Sequence, residues 1–264
     1  MQSSKEITAL KIQINVILFI TLSLFTISSK AQDLKTFRSG YFRLGINRLG
    51  NELNQSLSPK ENIFKGNYGA GSGFVFESGR VFYFMKKDTK KLVNFGLDWT
   101  YISLTYNKMD KWTTYGKNAT GSPEFSIDGT KIAAAISGKL GPVLSVNPIE
   151  KLVIDLRAQI APTARYFDFS YAENTNNGTS RSFSFTNETS GDDSFDAESV
   201  KNRIAFGFQK SFGLTVRRKA IGLSIDHISG NVKSNYEAQD NTGMSFGKEK
   251  IPVNNVQVKV SFTL

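Results

Sequence analysis

Apolar residues recur at every second position along most of this chain. Val256, Val258, Val260, Phe262 and Leu264 alternate with Gln257, Lys259, Ser261 and Thr263. A period of two assigns each set to one face of a β-strand. The same alternation sets Phe42, Leu44 and Ile46 against Arg43, Gly45 and Asn47. It sets Val93, Phe95, Leu97, Trp99 and Tyr101 against Asn94, Gly96, Asp98 and Thr100. Leu152, Ile154, Leu156, Ala158 and Ile160 face away from Val153, Asp155, Arg157, Gln159 and Ala161. Ile204, Phe206 and Phe208 face away from Arg203, Ala205, Gly207 and Gln209, and Ile221, Leu223 and Ile225 from Gly222, Ser224 and Asp226. Two runs are weaker. Ile132, Ala134, Ile136 and Leu140 oppose Lys131, Ala133, Ser137 and Lys139. In residues 74–84 the phase stays open, because Gly79 reads as a bulge.

No stretch carries a convincing helical period, so the expected fold class is all-β. Eight strands are predicted, near residues 39–48, 67–85, 92–107, 130–147, 151–172, 200–216, 219–235 and 252–264, with ten as the alternative count. Long connections (49–66, 108–129, 173–199, 236–251) alternate with short ones (86–91, 148–150, 217–218). This asymmetry predicts a transmembrane antiparallel up-and-down β-barrel, with short periplasmic turns and longer outer loops. Eight strands suffice to close a sheet and remove its edges.

The polar face mixes Gly, Ala and Ser with charges, which suits a narrow lumen. The large Phe, Leu, Val and Trp of the other face suit lipid. The lumen is therefore expected to hold a polar network of Arg43, Asp98, Asp155, Arg157, Arg203 and Asp226, since charges there need partners. Aromatic girdles are expected at Phe82, Phe84, Phe212 and Phe262 at one end and at Tyr101 and Tyr166 at the other, with Tyr83, Tyr106 and Phe169 beside them. Lys210 falls on the apolar face by parity, against the trend.

The N-terminus has a different pattern. Lys5 and Lys11 precede an apolar run over residues 16–27, and Ser29 and Ala31 supply small residues ahead of a cut after Ala31. That order predicts a secretory signal peptide over residues 1–31 and a barrel over 32–264. Composition removes several chemistries. The chain has 264 residues, no cysteine and one histidine. Disulfides, thiol nucleophiles and Cys-ligated metals are excluded, and no metal or cofactor is expected. The formal charge is +10. Its Lys and Arg are spread over turns, loops and lumen without a basic helix, so nucleic acid is not an expected partner.

Taken together, the 31/32 cleavage context and the terminal strand from Val256 to Leu264 resemble the small outer-membrane β-barrel proteins of Gram-negative bacteria, porin-like barrels of the Bacteroidota type in particular. The resemblance covers most of residues 32–264. It implies a location in the cell outer membrane with both termini periplasmic. It also implies recognition of the terminal strand by the barrel-assembly machinery. Outer-membrane lipids, lipopolysaccharide included, are the implied surroundings, and an envelope protein is a further implied partner. The resemblance speaks to fold and leaves function open.

Four functions are weighed, the last of them a soluble periplasmic ligand-binding barrel. The first is a non-enzymatic structural or ligand-binding role through the four outer loops, with the lumen largely closed by polar side chains. The second is a narrow channel for small solutes. The third rests on Asp226-His227-Ile228-Ser229, which resembles the His-x-Ser motif of lipid A deacylases. In that likeness His227 is the base, Ser229 the nucleophile and Glu237 or Asp240 the acid. Gly230 stands where that family continues with Asn, and a lone His and Ser at a strand end more commonly serve as girdle and loop residues. Minor features read as loop chemistry: the acidic cluster Asp192, Asp193, Asp196 and Glu198, the glycines 69, 71 and 73, and Lys111, Trp112 and Tyr115.

Overall fold

The computed structural model describes residues 36–85, 92–115, 124–174, 180–185, 201–240 and 243–264. The expected leader over 1–31, the turn at 86–91 and the acidic cluster at 192–198 lie outside the described residues. The fold is all-β. Nine strands form one antiparallel sheet: β1 Gly40–Leu49, β2 Ser72–Tyr83, β3 Val93–Lys108, β4 Glu124–Ile149, β5 Leu152–Asn174, β6 Ser180–Ser184, β7 Ile204–Arg218, β8 Ile221–Asp240 and β9 Gly243–Thr263. Eight of them close a ring in which β1 pairs with both β2 and β9. The short β6 lies between the far ends of β5 and β8. A short helix, α1 (Pro59–Phe64), follows β1. Among the described residues no helix is long and apolar enough to cross a membrane.

Closure sets the tilt of the strands. From Leu44, hydrogen-bonded partners lead through Phe76, Leu104, Ile136, Ala164, Phe206 and Lys233 to Lys250. Leu44 itself pairs with Val260 on that same β9. The circuit thus climbs by ten residues, from Val260 to Lys250. With the usual strand spacing and rise, this tilts eight strands by about 40°.

Three expectations are corrected. Residues 236–251 are not a long loop: β8 and β9 pair continuously out to Asp240 and Gly243. Its Lys, Glu and Gln residues interrupt the outward face, where only Met244 and Phe246 are apolar, so the segment lacks a strong apolar alternation. The connection 108–129 is likewise shortened by a β4 that begins at Glu124. Residues 74–84 keep one unbroken phase, and the expected bulge lies not at Gly79 but in β3, where Tyr101 is the extra residue opposite Ser78 and Gly79. This keeps Glu77 and Val81 inward on either side of the irregularity.

The ring changes character partway along its axis. Near the chain ends of the ring, β9 presents Phe262, Val260, Val258 and Val256 outward and Ser261, Lys259, Gln257 and Asn255 inward. Farther along it presents Asn254, Lys250 and Lys248 outward and Val253 and Ile251 inward. β8 does the same, with Leu223 and Ile225 outward over buried Ser224 and Asp226, then Ser229, Asn231 and Lys233 outward over buried Ile228 and Val232. β5 passes inward from Asp155, Arg157 and Gln159 to Phe167, Phe169 and Tyr171. Met244 and Phe246, exposed near the tip of the last hairpin, depart from this rule.

Glycine is required at the closing seam. A Cβ on Gly45 would lie 2.0 Å from the Val258 carbonyl oxygen, whereas one on Gly40 would meet only the Leu264 side chain at 3.5 Å. Gly45→Val is expected to destabilise the ring by about 3 kcal/mol as an overpacked site, and Gly40→Ala to leave it unchanged. Thermal unfolding followed by circular dichroism measures both.

Candidate functional site

The interior is filled in three layers. The first lies near the chain ends of the ring. Asp155 accepts a hydrogen bond from Arg217 Nε at 3.1 Å and from the Ser145 hydroxyl at 2.5 Å. Arg217 also donates to the Thr36 carbonyl oxygen, and the Phe37 ring packs 5.5 Å from that of Tyr83. The segment preceding β1 therefore folds under the ring.

The second layer is ionic. Glu77 accepts from Lys139 Nζ at 2.5 Å, from Lys259 Nζ at 2.8 Å and from Ser103 at 3.2 Å. Asp226 accepts from Lys259 Nζ at 2.5 Å and from Arg157 Nη2 at 2.6 Å. Asp98 accepts from the Tyr41 hydroxyl at 2.5 Å and stands 3.7 Å from both Arg43 and Arg157. Arg43 completes the circuit by bonding Glu77 at 3.4 Å, with its guanidinium over the Tyr41 ring. Every one of these charged side chains is buried. They come from β1, β2, β3, β4, β5, β8 and β9. β7 contributes Thr215, which accepts from Arg157, and a gap at Gly213. A Cβ at Gly213 would lie 2.3 Å from Asp226 Oδ1 and 2.6 Å from Arg157 Nη2.

The third layer is aromatic. The loops after β1 and β3 fold into the far end of the ring. Ser58 caps α1 through a reciprocal bond with Glu61, and Pro59 opens the helix. The Ser58 backbone N–H holds the Glu61 carboxyl below its ordinary range. Trp112, fully buried, donates from its indole N–H to the Tyr68 carbonyl oxygen at 2.9 Å. Its ring sits 4.8 Å from Phe169 and 4.9 Å from Tyr115. Tyr68 stacks on Phe167, and Phe167 on Phe185 at 4.1 Å. Beneath them Arg165 is 1% exposed, with no acidic partner among the described residues.

Of the six residues expected in one lumen network, Arg43, Asp98, Arg157 and Asp226 meet in the ionic layer. Asp155 lies inside the ring too, in its own pair with Arg217. Arg203 is a correction. It precedes β7, is 31% exposed by side chain and pairs with Asp168 at 2.5 Å near the far rim. Parity alone could not show that the strand starts one residue later. Sequence reading missed Glu77, Lys139 and Lys259 as members. Lys139 and Lys259 were already on the polar face by parity, whereas Glu77 lies in the one run whose phase the sequence left open.

The girdle residues divide. Phe82, Phe84 and Tyr101 face outward and are exposed, and Tyr166 is half-buried. Phe262 stacks on Phe42 at 4.8 Å at the end of the seam. Phe212 is a correction in position: it pairs with His227 well inside β7, away from either end. Tyr83 and Phe169, grouped with the girdles by sequence, point inward, one into the floor and one into the cap.

His227 and Ser229 share the outward face of β8. His227 lies between Phe212 and Val256, and Ser229 between Lys210 and Asn254. Lys210 is thus in the row where the outward face of β8 and β9 turns polar, which accounts for its parity. Glu237 is on the same strand, opposite Phe246. At ~3.3 Å per residue it lies on the order of 25 Å beyond Ser229. The fold does not bring the expected acid to the His-x-Ser pair.

Asp226→Asn is expected to cost about 3–5 kcal/mol, because it strands buried Arg157 and Lys259 without a full partner. Adding Lys259→Met should recover part of that loss. Ser229→Ala should change nothing measurable. Denaturant unfolding of the three variants reads all of this. Neither a protein-family model nor a curated protein matches the chain, so its functional reading rests on this geometry.

Proposed function

We propose that this protein is a transmembrane outer-membrane β-barrel with a closed lumen, acting as a structural or binding protein through its outer cap. One observation carries the reading: the inversion of apolar and polar faces along β8 and β9. A sheet that shows Val, Leu and Phe outward over buried Lys, Asp and Arg is stable only where the surroundings are less polar than its interior. The same strands then show Lys, Asn and Ser outward over buried Ile, Val and Tyr, the order appropriate to water. The exposed Val93, Phe95, Trp99, Tyr101 and Leu104 of β3, with half-buried Leu97 among them, extend the apolar face over a height on the order of a bilayer core.

Three filled layers support a lumen that does not conduct. Passage along the axis would require the Arg217–Asp155 floor, the Glu77 and Asp226 ion pairs and the Trp112 cap to part together. An export leader over residues 1–31 and periplasmic termini belong to the same proposal. The exposed loops and hairpin tip of the cap are then the surfaces offered to the medium.

Expression in a Gram-negative host tests the reading. The protein is expected in the outer-membrane fraction, resistant to carbonate extraction, with a band that shifts on heating as the ring unfolds. In planar bilayers no discrete conductance steps are expected. Recovery in the soluble periplasm would overturn the membrane assignment, and regular steps would overturn the closed lumen.

A further inference from the structure

The outward row Ala164–Phe206–Lys233–Lys250 crosses four strands at one register. Phe206 is a wall of an open groove of about 500 Å³, shared with Tyr101, Ile136, Gly138, Pro162 and Phe208. Its lining is mostly apolar, and Phe206 and Phe208 are 60% and 74% exposed. Lys233 and Lys250 stand directly opposite one another on β8 and β9, both exposed. Neither has an acidic partner among the described residues. Like charges directly opposed on a sheet face repel. Glu249 pairs with Ser234 in the neighbouring register, and Glu237 lies farther toward the tip.

The climb of the register fixes the vertical order. From β5 to β9 each step rises toward the cap, so the two lysines sit above the groove on its cap side. Below them, Asn231, Ser229, Asn254 and Lys210 give the outward face of β7, β8 and β9 polar groups where β3 remains apolar. Paired cations above a deep apolar groove match an amphiphile standing with its headgroup toward the cap.

We propose that this face binds a lipid with phosphate in its headgroup, the phosphate between Lys233 and Lys250 and an acyl chain in the groove beside Phe206. A bound phosphate removes the lysine–lysine repulsion, and the chain covers apolar surface that the twisted strands leave open at Gly138 and Pro162. The inference rests on the membrane-spanning reading.

The test uses the folded protein in nanodiscs of equal dioleoylphosphatidic acid and dioleoylphosphatidylcholine, with retained lipids counted by native mass spectrometry. Phosphatidic acid is expected to be kept about thirtyfold over phosphatidylcholine, the scale for two lysines at a membrane surface. Lys233→Gln with Lys250→Gln should abolish that preference. Lys65→Gln with Lys111→Gln, which removes the same charge from the cap, should preserve it. Gly138→Leu should reduce retention of both lipids by filling the groove; a Cβ there meets nothing closer than 3.8 Å, so the ring tolerates it. Equal retention of the two lipids, or an unchanged preference in the Lys233/Lys250 variant, overturns the site while the membrane reading stands. Displacement by inorganic phosphate alone would make it a free-anion site and overturn the lipid. Failure to enter the nanodisc overturns both readings together.

Discussion

Glu77 and Asp226 face each other across the ring interior, and between them they collect Lys139, Lys259, Arg157 and Arg43. The ring depends on this exchange. An isolated charge in such a space costs several kcal/mol, and each charge here is tolerable only because the others are in place. Seven strands supply the participants, so the layer forms only when all are present in register. A slip of one residue in any strand would carry its charge to the apolar face and bring an apolar side chain inside. Burying ions adds little net stability, but it penalises every wrong pairing heavily, and in a closed sheet pairing is the main thing that can go wrong.

Space is as much a requirement as charge. Gly213 leaves the volume into which the Arg157–Asp226 pair fits, and Gly45 allows β1 and β9 to approach at the seam. The small residues of the polar face thus have a physical role: an eight-stranded ring is narrow, and long basic side chains can cross it only where a neighbour has given up its side chain.

The aromatic cap solves a different problem. Past the level of Ser229 the strands continue with a polar outer face, and their interior becomes that of an ordinary soluble protein. Phe167 and Phe169 of β5 fill it together with Tyr68 and Trp112, which the connections after β1 and β3 bring in. Trp112 reaches its place because the turn after β3 directs it inward and the Tyr68 carbonyl oxygen accepts its indole proton. One continuous sheet therefore carries two kinds of core, and the boundary between them is also the boundary on its outer surface.

Alternation with a period of two was enough to read an all-β chain, eight ring strands, the two faces of all but β2 and most of the ionic layer, because side-chain direction in a strand is a local property. Arg43, Asp98, Arg157 and Asp226 were legible for that reason. Glu77 was not, because large apolar residues stand on both faces of β2 around it, with Phe74, Phe76 and Phe82 outward and Val75 and Val81 inward, so alternation gives no phase there. The hairpin over 236–251 was hidden by its weak apolar alternation, and the aromatic cap because its contacts join segments far apart in the chain. Which carboxylate meets which cation, whether His227 has an acid beside it, and that Lys233 stands against Lys250 above the Phe206 groove were decided only by the register of the closed ring. The sequence by itself determined which way each side chain points; the tertiary structure decided what it meets there, since partners across a ring are set by strand offsets that no single strand encodes.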